Sequence, residues 1–216
     1  MELTRVDTQR AYKAIRELIT TLELSPGSPI DEAKLADKLG VGLVPVREAI
    51  KLLIHDHLIE APSMGLFVAE LKIIELRQIS ELRLLLEPYC VRQTAKLATA
   101  DDLLVLEALC KEQSLVPTDQ PRALIELDHK FHQAIARASQ NKYLVDILEH
   151  LFGLSQRVWF MALPHLKFLP AAVESHLELV AAIKAQDEHL AEELMRQHIQ
   201  DFYVQVFAIL QKLDIQ

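Results

Sequence analysis

The sequence predicts a mainly α chain in two parts, a small helical unit closed by a two-stranded hairpin and a larger, all-helical antiparallel bundle. Three observations carry this. Half of the 216 residues are hydrophobic and only five are Gly, which favours long helices over a sandwich or barrel. Apolar residues recur at helical spacing from about residue 71 to the C-terminus, with no strand pattern among them. The one segment with hairpin character lies within residues 58–69. The expected boundary therefore divides residues 1–70 from 71–216.

In the first part, Ala11, Ile15, Leu18, Ile19 and Leu22 form a stripe that predicts a helix over 10–22. The run Ser25-Pro26-Gly27-Ser28-Pro29 is the clearest turn in the chain. Asp31 then suits an N-cap for a helix over 32–39, with Gly40 as its stop. After the short turn Val41-Gly42-Leu43-Val44, Pro45 suits the first position of a helix running to His57, because its missing N–H is not needed there. That helix buries Val46, Ala49, Ile50 and Leu53. Residues 58–61 and 66–69 flank Pro62-Ser63-Met64-Gly65 and read as a small hairpin.

In the second part, helices are expected over 73–98, 101–113, 121–139, 142–162, 171–185 and 187–212. Pro88 should kink the first, and Asn141 suits the N-cap of the fourth. Pro117, Pro121, Pro164 and Pro170 punctuate the joints. Six or seven such helices make an antiparallel bundle.

Composition narrows the function classes. No run of eighteen apolar residues exists, so no membrane span is expected. The opening residues lack the apolar stretch of a signal peptide, and the expected location is the cytoplasm. Cys90 and Cys110 fall inside helical patterns and read as buried thiols. The net charge is −8, and residues 1–70 hold eight Lys and Arg against eleven Asp and Glu. That balance speaks against a broad basic footprint, so contact with nucleic acid would rest on a few placed cations.

A short helix, a tight turn with Gly and a second helix of about a dozen residues is the helix-turn-helix geometry that sets a recognition helix into the major groove. The pattern alone fits many helical hairpins. The residues are more specific. Leu35-Ala36-Asp37-Lys38-Leu39-Gly40-Val41, followed by Pro45-Val46-Arg47-Glu48-Ala49-Ile50, resembles the GntR family of bacterial regulators, as does Ile15-Arg16 through Ser25-Pro26-Gly27. The resemblance implies a winged helix-turn-helix on double-stranded operator DNA. Its contacts would fall at Lys34, at the turn positions Leu43, Val44 and Pro45, at Arg47 and at the wing tip around Gly65. Two departures stand out. Gly42-Leu43-Val44 replaces a hydroxyl residue, Arg and Thr, and the wing tip Ser63-Met64-Gly65 lacks the basic residues common there. The resemblance thus implies one base contact and several phosphate contacts fewer, and an atypical or weaker grip.

In the bundle, the informative residues are polar ones on apolar faces. Asp128 and His132 are four apart and share a helix side with the stripe Leu124, Leu127, Phe131, Ile135. His176 lies with Val173, Leu177 and Val180, and His198 with Leu194, Met195 and Phe202. Singly, each His reads as a satisfied core or surface residue, and His55, His57, His129, His150, His165 and His189 keep that reading. Three buried His with a carboxylate are costly unless something joins them. The Asp-x-x-x-His pair, Phe131-His132-Gln133-Ala134 through Asn141, and His176 through Ile183 with a further His 22 residues on, resemble the FCD ligand domain of the FadR-type GntR subgroup. The resemblance implies that Asp128, His132, His176 and His198 hold a divalent ion. Zn²⁺ or Ni²⁺ suits such a set best, with Mn²⁺ and Fe²⁺ left open. It also implies a small carboxylate effector, with Arg83 facing the pocket as its partner. An ion pair with Glu87, four residues along, is the other reading of Arg83. Arg157 and Trp159 are further candidates for the cavity wall.

The expected function is transcriptional regulation by a homodimer, most simply repression, with operator affinity set by an organic acid at the metal. Two alternatives remain at this point. A degenerate regulator could act through protein partners, as the turn and the acidic balance suggest. A metal-dependent enzyme would need a general base that the sequence does not offer beside the ligands.

Overall fold

The structure is a computed structural model that describes residues 2–117, 120–162 and 169–212. Pro164 and His165 lie outside them. The chain divides into two compact units, Met1–Leu71 with Gln156–Phe160, and Lys72–Ser155 with Met161–Gln216.

The first unit comprises α1 (Glu2–Thr20), α2 (Glu32–Leu39), α3 (Leu43–His55), β1 (Ile59–Glu60) and β2 (Phe67–Val68). Helix α1 starts earlier than its apolar stripe suggests, because residues 2–9 contain no Gly or Pro to stop propagation and periodicity does not register a polar turn. It also ends sooner. Leu22 leaves the helix with φ 62°, and Leu24 N–H returns to the Leu18 carbonyl at 2.8 Å, which closes the last turn without glycine. The Asp31 carboxylate accepts from Ala33 N–H at 3.0 Å and Lys34 N–H at 3.1 Å, and Gly40, at φ 60°, ends α2.

Helix α3 corrects one expectation. Gly42 is its N-cap, so Leu43 and Val44 are helical and Pro45 is the third residue rather than the first. A proline is still tolerated there, since the N–H groups of the first turn have no partner inside the helix. Val46, Ala49, Ile50 and Leu53 are buried as the stripe requires, against Ala11, Ile15, Leu18 and Ile19.

The hairpin pairs Ile59 with Val68 and Glu60 with Phe67. The segment before α2 adds a third line to it. Ile30 N–H donates to the Leu66 carbonyl, Val68 N–H to Ser28, and Pro29 bridges Phe67. Pro29 sits at the sheet edge, where a missing donor costs little.

The second unit comprises α4 (Ile73–Leu97), α5 (Ala100–Ser114), α6 (Pro121–Ala138), α7 (Lys142–Ala162), α8 (Leu169–Lys184) and α9 (Glu188–Lys212), of which residues 156–160 of α7 count with the first unit. These six helices fall where the stripes placed them. Helix α4 packs on α9, α6 and α8, while α5 packs on α6 and α8. Asn141 caps α7 as expected, its Oδ1 accepting from Tyr143 and Leu144 N–H, and α5 has a cap that was not singled out, a reciprocal capping box of Thr99 with Asp102. Pro88 lies inside α4, which runs through it unbroken as one helix. A proline cannot donate to the carbonyl four residues back, and Arg196 of α9 supplies the missing donor, with Nη1 at 3.3 Å from the Leu84 carbonyl. Cys90 and Cys110 are buried free thiols that burial pushes up to about 12 and about 11.

Candidate metal centre and recognition helix

Four side chains meet inside the second unit. Helix α6 supplies Asp128 and His132, α8 supplies His176 and α9 supplies His198. One ligand atom from each lies within 4.8 Å of the other three. His132 and His198 approach through Nε2 at 3.2 Å, His176 and His198 through Nε2 at 3.3 Å, and Asp128 Oδ1 is 3.4 Å from His176 Nε2.

The faces that deliver these residues differ slightly from the sequence reading. Leu124, Leu127, Phe131 and Ile135 are buried beside His132, as the α6 stripe requires. On α8, however, Leu177 is exposed, and His176 shares its inward line with Leu179, Val180 and Ile183. On α9 the buried line is Ala191, Met195, His198, Ile199 and Tyr203. Both corrections are shifts of about one position on a helix, finer than apolar counting along the sequence resolves.

Each imidazole is fixed from behind. His132 Nδ1 meets Glu87 Oε2 at 2.6 Å, His176 Nδ1 meets Gln113 Oε1 at 2.9 Å, and His198 Nδ1 meets Ser175 Oγ at 2.7 Å. A donating Nδ1–H leaves the Nε2 lone pair as the acceptor, and all three Nε2 atoms point to one place. Orientation by a carboxylate, an amide oxygen and a hydroxyl is the arrangement that metal-ligating His require. The spacing fits as well. Two nitrogens about 2.0–2.1 Å from a shared ion at a tetrahedral angle lie about 3.3 Å apart.

The electrostatics divide the four groups into two kinds. Burial, then the charge of His132, lowers His198 to about 3, while burial and the neighbouring imidazoles hold His176 well below its ordinary value. Both are therefore neutral at neutral pH, the form that binds metal. Burial also works against the His132 cation, but Glu87 and Asp128 outweigh it and raise its pKa. Asp128 is raised, mainly by burial. Glu87 is held low despite burial, by Arg83 and then His132.

Arg83 is buried, and its Nε donates to Glu87 Oε1 while Nη1 reaches the Tyr203 hydroxyl at 3.3 Å. The ion-pair reading is thus present in the structure, and it ties Arg83 to His132 through one carboxylate. A small cavity of about 20 Å³ opens beside this carboxylate, lined among others by His129, His132, Glu149 and Phe152. Arg157 and Trp159 do not line it. Arg157 donates to the Ala69 and Glu70 carbonyls, and both residues group with the first unit. Glu87, Gln113 and Ser175 were not singled out as supports. Only Glu87 carried a signal, its spacing of four from Arg83.

In the first unit the expected contact residues lie around α2 and α3. Lys34 is exposed, 3.6 Å from Asp31, and Arg47 donates through Nε to Glu32 at 2.9 Å. Lys38 faces Glu23 at 3.7 Å and Lys51 faces Glu48 at 2.7 Å. Each of these four cations has an acid beside it, so the acidic balance is local as well as global. Leu43 and Val44 stand exposed at the start of α3, while Pro45 between them and Val46 is buried. Gly65 turns the hairpin with φ 140°, a conformation that disfavours side chains, and Met64 beside it is exposed.

Comparison with known proteins covers both units. The FCD domain matches residues 78–201, and the bacterial regulatory proteins of the gntR family match residues 7–68. The HTH-type transcriptional repressor RspR of Escherichia coli (strain K12) is 27% identical over 211 residues, 97% of this chain and 92% of that protein. The HTH-type transcriptional regulator McbR of the same strain is 29% identical over 197 residues, 84% of this chain and 86% of that one. The solved structure of E. coli McbR/YncC superposes with a TM-score of 0.82 at 22% identity, covering 94% of this chain and 97% of that one.

Proposed function

We propose, for a chain that belongs to the GntR family of bacterial regulatory proteins and carries its FCD domain, that a divalent metal at Asp128, His132, His176 and His198 is the sensing element of a DNA-binding repressor. The chain is a transcriptional regulator and not an enzyme, as its family and relatives are. The enzyme reading is set aside on that ground. The observation that carries the proposal is the convergence of three Nε2 atoms and Asp128, with every Nδ1 held by a separate partner.

In this reading Zn²⁺ or Ni²⁺ takes the four side chains, and a small carboxylate completes the coordination. Arg83 shares its charge between Glu87 and the incoming acid. Residues 1–70 contact operator DNA through Lys34, Leu43, Val44, Arg47 and the wing tip at Gly65. Residues 71–216 bind the effector and join two copies into a homodimer, which acts in the cytoplasm on a palindromic site. The acid then changes affinity by favouring one placement of the paired wing units over another.

The test is a mobility shift on the chain's own upstream DNA, with metal-stripped and Zn²⁺-loaded protein and a panel of small carboxylic acids. The expected result is a complex whose affinity changes with an acid only when metal is present. A complex indifferent to both metal and acids contradicts the proposal. A second reading, contact with a protein partner in place of DNA, is favoured by one observation, the local pairing of Lys34, Lys38, Arg47 and Lys51 with acids. Failure to bind any DNA at low salt would favour it.

A further inference from the structure

The start of α3 carries exposed apolar side chains where water alone gives no reason for them. Leu43 is 37% exposed and Val44 60%, and they are the first two residues of the helix after the Gly42 cap. Spacing of four and three from Arg47 makes both neighbours of its guanidinium; Val44 faces away from the buried Val46, Ala49, Ile50 and Leu53, while the less exposed Leu43 borders that line beside Ile50. Arg47 uses its Nε–H on Glu32, and the next cation on that face, Lys51, pairs with Glu48. The tip of the helix is thus a small apolar patch followed by cations that are already partnered.

In a helix-turn-helix the N-terminal residues of the second helix meet base edges in the major groove. The one apolar feature displayed there is the C5 methyl of thymine. We infer that Leu43 and Val44 read thymine methyl groups, so that this chain selects its operator by apolar contact at the positions facing the tip of α3. The inference rests on the DNA-binding reading above and names what that face recognises. It also gives a use for the two residues that stand in place of the family's Arg and Thr. Burying one methyl group contributes about a fourfold change in affinity.

The experiment enriches duplexes from a random pool with the full chain, then measures the affinity of the best sequence by fluorescence anisotropy. Each thymine is replaced in turn by deoxyuridine, which removes the methyl and leaves every hydrogen-bonding edge in place. The expected result is a loss of about fourfold at one or two positions in each half-site. That loss should vanish in the Leu43→Ala/Val44→Ala variant, with its helical content unchanged by circular dichroism. Uniform tolerance of deoxyuridine by the native chain overturns the inference while leaving DNA binding intact. Sensitivity that persists in the double variant overturns it too. A pool that yields no enriched sequence sinks the DNA-binding reading itself, and this inference with it.

Discussion

The histidine cluster of the second unit and the cationic face of the first are both polar constellations, built in opposite ways. In the cluster, residues far apart in the chain are brought inside and each is held from behind: His132 by Glu87 across 45 positions, His176 by Gln113 across 63. On the recognition face the cations are exposed, and their partners are three residues away, as with Lys34 and Asp31 or Lys51 and Glu48, or fifteen away, as with Lys38 and Glu23 or Arg47 and Glu32. Buried groups without partners are expensive, whereas exposed ion pairs contribute little. The cluster is therefore expected to be rigid and intolerant of change. The face is expected to be adjustable, its cations exchanging acids for phosphates when DNA arrives.

The largest effect should come from the cluster's ligands. His198→Ala removes one of three imidazoles and is expected to abolish stoichiometric Zn²⁺ retention, read by elemental analysis after dialysis, with the helical fold kept. Retention of one ion per chain would break the contrast, since the four residues would then not act as a unit.

A step out from the ligands, Glu87→Gln should lower metal affinity by about 10–100-fold. It should also destabilise the fold by roughly 3–5 kcal/mol, because it leaves Arg83 as a buried cation without its carboxylate. Chelator competition and urea unfolding would show whether the two losses occur together. An unchanged metal affinity would reduce Glu87 to a structural partner of Arg83.

Asp31→Ala removes the side-chain acceptor of Ala33 and Lys34 N–H at the start of α2 and should lower the midpoint of urea unfolding, by less than Glu87→Gln does. The smallest expected effect is that of Glu32→Gln, which leaves stability within about 0.5 kcal/mol and releases Arg47 from its acid. If the face is adjustable, this variant binds DNA more tightly, with the slope of log affinity against log salt steeper by up to about one contact. Weaker binding would instead make Glu32 a positioning residue for Arg47.

The same contrast explains what the sequence made legible. Caps and stripes depend on neighbours within a turn or two, and Asp31, Gly40, Asn141 and the α6 stripe all read correctly. Asp128 and His132 stood out as polar residues four apart on an apolar face, whereas the full set with His176 and His198 came from the resemblance to the FCD domain. Gln113 and Ser175 were not legible, since their value lies in contacts between helices, and an isolated Gln or Ser on a helix carries no such signal. Pro45 drew the start of α3 two residues too late, because proline suits the first turn as well as the first position. The line from Gly27 to Ile30 read only as a turn, since its pairing with Leu66 and Val68 is non-local.

In the proposed function the four converging side chains bind a metal that governs grip on DNA. The most direct measurement is operator affinity by anisotropy for the native chain and for His198→Ala, each stripped by chelator and then titrated with Zn²⁺ in the presence of the responding acid. Zn²⁺ is expected to restore the acid's effect in the native chain at one equivalent and to leave the variant unresponsive. An acid effect of equal size in both proteins would contradict that expectation.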